Sequence, residues 1–111
     1  MAGSFVVSAG SSGKFRFNLR AGNNEIILTS ESYEAKASAL NGIESVRKNS
    51  QEDTRFTRKK AKDGSPYFVL TATNGQVLGT SEMYSSAAGM ENGIKSVTKT
   101  APDAKVVDKT G

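Results

Sequence analysis

The chain has no cysteine and no histidine. Without thiols no disulfide framework can form, so a small secreted scaffold held by bridges is excluded. The usual ligands of zinc, iron–sulfur and haem sites are missing too. Nucleophile systems that depend on Cys or His, the Ser-His-Asp arrangement among them, cannot be built. No apolar stretch approaches the length of a membrane span. The opening residues, Met1-Ala2-Gly3-Ser4-Phe5-Val6-Val7, lack the basic and apolar regions of a secretory signal. The expectation is a cytoplasmic protein with no metal, no cofactor and no membrane partner. Apolar residues make up only 36% of 111, low for a globular domain but above the disordered range. Fifteen basic and eleven acidic side chains leave a net charge of +4, which permits an acidic partner without requiring one.

What is present is a duplication. Gly13-Lys14-Phe15-Arg16-Phe17-Asn18-Leu19-Arg20-Ala21 returns 51 residues later as Gly64-Ser65-Pro66-Tyr67-Phe68-Val69-Leu70-Thr71-Ala72, and Asn41-Gly42-Ile43-Glu44-Ser45-Val46 returns as Asn92-Gly93-Ile94-Lys95-Ser96-Val97. Residues 13–48 align with 64–99 without a gap and with 16 identities in 36 positions, enough to read two copies of one unit. A unit of about 50 residues buries little apolar surface by itself, so two copies imply one shared core.

Within each copy the hydrophobic period changes. Phe15, Phe17, Leu19 and Ala21 alternate with Arg16, Asn18 and Arg20, which predicts a half-buried strand with one wet face. Gly22-Asn23-Asn24 is a turn, and 25–30 is the returning strand. From Glu34 to Lys48 the residues Ala35, Ala39, Ile43 and Val46 fall in one helical stripe. Phe68, Leu70 and Ala72, then Met90, Ile94 and Val97, repeat the switch. Ser85 is expected to cap the second helix, with Glu34 the poorer cap of the first. Phe5, Phe56 and Val107 continue the spacing of 51, each in a short β-like run. The order is strand, hairpin, helix, strand, hairpin, helix, strand. The repeats span about 1–57 and 52–111 and share the strand near 54–60, in one domain over 1–111. The expected core holds Phe17, Leu19, Ile43, Val46, Phe68, Leu70, Met90, Ile94 and Val97.

Gly13-Lys14-Phe15-Arg16-Phe17-Asn18-Leu19, the run from Tyr33 through Lys36 to Ile43, and the tandem arrangement resemble the YegP-like family of small bacterial proteins. The resemblance covers nearly the whole chain. It implies an α+β fold of two β3-α-β repeats forming one mostly antiparallel sheet with exchanged C-terminal strands and two helices packed on one face. It brings no catalytic residues. Glu34 stands where the family tends to have Thr or Ser, and Ala87 replaces in the second copy the lysine at Lys36.

The densest charge cluster is Arg47, Lys48, Arg55, Arg58, Lys59, Lys60 and Lys62, diluted by Glu52 and Asp53. One reading is a phosphate-contacting strip for RNA or DNA, to which the wet strand face would add Arg16 and Arg20, with Tyr67 as a stacking surface. The other is a solvated edge, since lysines on exposed strands guard against edge-to-edge pairing. Lys36, present in one copy only, is a further candidate contact. Asn41 and Asn92 should face water, either as paired contact points or as common inheritance. Gly42 and Gly93 point to a close helix-to-sheet approach, and Tyr33 and Tyr84 to apolar stapling of each helix start. Ser30-Glu31 and Ser81-Glu82 sit by the helix N-termini with no basic partner that would make them a dyad. Gly10-Ser11-Ser12-Gly13 is a turn. The expected function is a monomeric, non-enzymatic binding module with internal pseudo-twofold symmetry, whose partner is another protein or nucleic acid; the alternative is weak nucleic-acid binding through residues 47–62.

Overall fold

A computed structural model describes residues 3–10 and 12–110. The strands are β1 (Ser4–Ala9), β2 (Phe15–Arg20), β3 (Ile26–Thr29), β4 (Phe56–Lys60), β5 (Pro66–Thr71), β6 (Val77–Thr80) and β7 (Lys105–Asp108), with helices α1 (Lys36–Asn49) and α2 (Ala87–Thr100) after β3 and β6. They form one sheet in the order β4-β5-β6-β3-β2-β1-β7. Every neighbouring pair is antiparallel except β1 with β7. The two halves meet where Thr29 lies opposite Thr80. Those residues are equivalent in the duplication, so the pseudo-twofold axis passes between them. β4 follows the first helix but pairs with β5, while β7 follows the second helix and pairs with β1. The C-terminal strands are thus exchanged between units, as the resemblance implies. Ser11 of the expected first turn lies outside the described residues.

Local chemistry explains the strands. Phe17 and Leu19 are fully buried while Arg16 is exposed, the outcome of period-two alternation on a sheet covered on one side. The hairpin turns need a left-handed residue: Asn24 at φ 70° in the first copy and Gly75 at φ 85° in the second. All nine expected core residues are buried. Both helices reach across the seam, α1 onto β5 and β6 and α2 onto β3, so each half covers apolar surface of the other.

The duplicated Tyr and Gly prove to be one device. Tyr33 stacks on Phe17 at 6.2 Å and 12°, and Tyr84 on Phe68 at 6.2 Å and 15°. A Cβ on Gly42 would lie 2.5 Å from the Tyr33 hydroxyl and 3.0 Å from the Phe17 ring, and one on Gly93 would strike the Tyr84 ring in the same way. The missing side chain therefore admits the tyrosine ring beneath the helix. Burial raises the pKa of both phenols, with nearby Glu31 adding to the effect at Tyr33 and Glu25 and Glu82 at Tyr84. Ser30 and Ser81 are likewise scaffold. Each buried hydroxyl accepts from the N–H of the facing Phe17 (2.8 Å) or Phe68 (2.9 Å) and donates to the carbonyl of Glu31 or Glu82, both at 2.8 Å. They replace ladder bonds where the hairpin ends and the chain turns toward the helix.

Two expectations need correction. The helix caps are Ala35 and Ser86, one residue beyond Glu34 and Ser85. Ser86 Oγ accepts from the Gly89 N–H at 3.0 Å, whereas Ala35 offers no side-chain bond. The apolar stripe carries no information about the last non-helical residue, which is why the start was misplaced. Ala35→Ser should stabilise the protein by about 1 kcal/mol and Ser86→Ala should destabilise it by a similar amount; urea unfolding of the two variants checks both, and an unchanged midpoint for Ala35→Ser would count against the cap assignment.

Second, Val107 does not continue the positions of Phe5 and Phe56. Phe5 faces Leu19 and Phe56 faces Leu70 in matching antiparallel register, and both are buried. Val107 instead lies beside Val6 in a parallel pair, on the face away from the helices. β7 thus lies outside β1, whereas β4, the equivalent of β1, is itself an edge strand.

The two copies also differ at the axis. Leu28 in the first copy corresponds to Gly79 in the second. A Cβ on Gly79 would lie 2.7 Å from Leu28 Cγ and 2.9 Å from its Cδ2. There is room for one leucine at the seam, and Leu28, fully buried, fills it.

Candidate polyanion-binding surface

The basic residues clustered in sequence are dispersed by the fold. The Arg47 guanidinium lies 5.4 Å from the centroid of the Phe5 ring, donates to the Ala104 carbonyl at 2.6 Å and approaches Glu44 at 3.8 Å. Phe5 belongs to β1, five strand positions from β4 and hence about 24 Å away at the usual strand spacing. Arg55 approaches Glu52 at 3.8 Å. Arg58 is held between Asp53 and Glu91, at 2.9 Å from each. The hydrogen bonds from Arg58 hold both carboxyls below their usual range, and the two carboxylates raise the guanidinium in turn. Lys48, Lys59, Lys60 and Lys62 are exposed and have no ion-pair partner among the described residues.

Lys36 pairs with Asp108 of β7. That bond, with further hydrogen bonds from Thr110, holds the Asp108 carboxyl well below its ordinary value. The pairing explains why Lys36 has no counterpart at Ala87. A strand lies beside β1 for Lys36 to hold, and none lies beside β4. Asn41 and Asn92 are both exposed, as the helical wheel requires.

A second surface is built from strand alternation. Residues next to core positions turn the other way, so Arg16, Asn18 and Arg20 lie on the sheet face opposite the helices. Pairing puts Lys59 beside Tyr67 and Lys105 beside Ser4 on that face. Val6 and Val69, buried yet outside the core cluster, form its floor. The seven strands contain six basic residues and one acidic one. The acid, Asp108, points to the helix side and is occupied by Lys36. The strand residues of the open face therefore carry Arg16, Arg20, Lys59 and Lys105 and no carboxylate. The two arginines are oriented by neutral groups. Arg16 donates to Ser32 Oγ at 3.2 Å, and Arg20 to Asn18 Oδ1 at 3.0 Å and Asn24 Oδ1 at 3.4 Å. Amides and hydroxyls hold a guanidinium in place without cancelling its charge.

Sequence reasoning had already set Arg16, Arg20 and Tyr67 on the wet face. Lys105 belongs to none of the groups read from the sequence, and Lys59, read there with residues 47–62, also reaches this face. A count of acids within strands would have found the surface, because strand residues share faces that depend on pairing rather than on nearness in the chain. Among the described residues no helix is long and apolar enough to cross a membrane.

Comparison with known proteins agrees with this architecture. The model of a domain of unknown function, DUF1508, matches twice, at residues 11–56 and 61–108. A UPF0339 protein of Bordetella pertussis is 57% identical over 110 residues, covering 99% of this chain and 98% of the relative. UPF0339 protein YegP of Shigella flexneri is 49% identical, covering 99% of this chain and all of the relative. The solution NMR structure of a UPF0339 protein from Shewanella oneidensis superposes with a TM-score of 0.93 at 48% identity, over 99% of this chain and 93% of that one. That of yegP from E. coli, described as a protein of unknown function, gives 0.95 at 49% identity, over 100% and 96%. With two matched copies of the domain and full-length relatives at this level of identity, the chain belongs to the UPF0339 family of YegP-like, tandem DUF1508 proteins.

Proposed function

We propose that this protein is a non-catalytic binding module and that its open sheet face takes an extended polyanion, single-stranded nucleic acid being the class that fits. The observation that carries this reading is the carboxylate-free sheet face, with four cations and one half-exposed tyrosine among small hydroxyl and amide side chains. A flat sheet with bases spaced along it offers phosphate contacts, and an aromatic ring offers a stacking platform. Tyr67 has Lys59 directly beside it, so a stacked base and its phosphate could be met by neighbouring groups. The displaced pKa values belong to the Arg58 and Lys36 ion pairs, to the Asp63 turn and to two tyrosines beneath the helices. Each has a structural cause, which favours binding over acid–base chemistry.

The test is fluorescence anisotropy with a labelled single-stranded RNA and its DNA counterpart at low salt. Binding should weaken steeply as salt is raised, with a slope near −0.7 per phosphate contact. The Arg16→Glu/Arg20→Glu variant should bind at least about tenfold more weakly, and Tyr67→Ala should lose about 1 kcal/mol or more of affinity. No anisotropy change at low salt for either strand would remove the proposal.

A further inference from the structure

β1 and β4 are equivalent strands in unequal surroundings. β1 has β7 against its outer edge, and three of its six residues are buried. β4 is the terminal strand, and residues 57–60 are all exposed. The main-chain groups that face outward can be identified from the turns. Gly10 N–H donates to Lys14 O and the equivalent Ala61 N–H donates to Ser65 O, both toward the hairpin partner. Alternation then turns Gly3, Phe5 and Val7 outward, where Gly3 O accepts from Lys105 N–H at 3.3 Å and Val7 O from Lys109 N–H at 2.8 Å. The same alternation turns Phe56, Arg58 and Lys60 outward. Phe56 is already satisfied: its N–H donates to Asp53 O, and its carbonyl accepts from Arg58 Nη1 at 3.3 Å. The peptide groups of Arg58 and Lys60 stand open at the edge.

We infer that the outer edge of β4 is a strand-addition site for an acidic, extended segment of a protein partner, lying parallel to β4 as β7 lies parallel to β1. The molecule supplies its own template. Lys105, Val106, Val107 and Asp108 lie beside Ser4, Phe5, Val6 and Val7. Moved by 51 residues, the same segment would lie beside Arg55, Phe56, Thr57 and Arg58, with Lys59 next. Of the positions flanking the docked strand, Ser4 and Val7 become Arg55 and Arg58, each already beside a carboxylate, and Ser8 becomes Lys59, which has none. A segment shaped like β7 but acidic toward its C-terminal end meets the open peptide groups of Arg58 and Lys60 and the charge of Lys59. Asp53 and Glu91 are engaged by Arg58, leaving Lys59, Lys60 and Lys62 without acidic partners among the described residues. This site uses the main-chain edge of β4 and shares only Lys59 with the open sheet face. The competing account is that the lysines only keep the edge from pairing.

The experiment uses the full-length, isotope-labelled protein and a blocked heptapeptide with the 104–110 sequence carrying Lys105→Glu and Lys109→Glu. Amide shifts should centre on Arg58 and Lys60, with slowed hydrogen exchange at both. The same peptide N-methylated at the amide of residue 109 keeps its charge but loses the donor that would meet the Arg58 carbonyl, as Lys109 N–H meets Val7 O, and should not bind. The protein variant Lys59→Glu/Lys60→Glu should bind the acidic peptide about tenfold more weakly, which is 1.4 kcal/mol and in the range of two exposed ion pairs. No shift at millimolar peptide overturns the inference. So does equal binding of the N-methylated peptide, or shifts centred on Arg16 and Arg20, either of which would mark simple charge attraction.

Discussion

Gly79→Leu is expected to destabilise this protein by about 3 kcal/mol, at the upper end for overpacking, because the new side chain must enter space already filled by Leu28. Leu28→Gly should cost about 3–5 kcal/mol, through a cavity and a floppier strand. Either loss is a large part of the total for a domain of this size. The double variant, Leu28→Gly with Gly79→Leu, is expected to recover most of both losses. It places one leucine at the axis, contributed from the other side, and the pseudo-twofold makes the two sides nearly alike. Gly79 is not among the residues with positive φ, so backbone strain does not oppose the exchange. Urea unfolding of the four proteins decides the matter. A double variant whose losses simply add would mean that the two positions do not share one space.

The second large effect concerns halves of the chain. Residues 1–51 contain β1 to β3 and α1, and residues 52–111 contain β4 to β6, α2 and β7. Fragment 1–51 alone should be unfolded or dimeric, since α1 has lost the part of its floor supplied by β5 and β6, and β1 has lost β7. Equimolar mixing of the two fragments should restore the folded spectrum as a one-to-one complex whose stability rises with concentration. The mixed complex should be preferred to either self-pair. Two copies of the first fragment would bring two Leu28 side chains to a seam that holds one, and two of the second would leave a gap between Gly79 residues. Heteronuclear NMR and sedimentation read both outcomes. A well-dispersed monomeric spectrum from 1–51 would contradict the shared core.

The seam also shows where sequence reading stops. The duplication, the period-two strands and the helical stripes were legible because each is a local pattern imposed by burial on one face. Phe17, Leu19, Ile43, Val46 and their counterparts could be assigned to the core on that ground. Gly42 and Gly93 were recognisable as close-approach positions, but the tyrosine ring that approaches them was not. The partner lies nine residues away in the chain and is brought close only by the turn into the helix. Nothing local marks the exchange of Leu28 for Gly79, and only the pairing of β3 with β6 gives it a reason. The basic cluster from Arg47 to Lys62 was read as one strip because its members are neighbours in sequence. The fold sends Arg47 to β1 and Arg58 to the opposite edge, and it assembles Arg16, Arg20, Lys59 and Lys105 from three different strands.

By itself, then, the sequence determined the elements, their order, the repeat and the residues that must be buried, since these follow from hydrophobic period and turn chemistry within each unit. Tertiary structure decided which strand lies at each edge, which half supplies the leucine at the axis, and which charges share a face. Those outcomes depend on pairing between segments far apart in the chain. The duplication makes β1 and β4 alike in position, and only the path of β7 makes one covered and the other free.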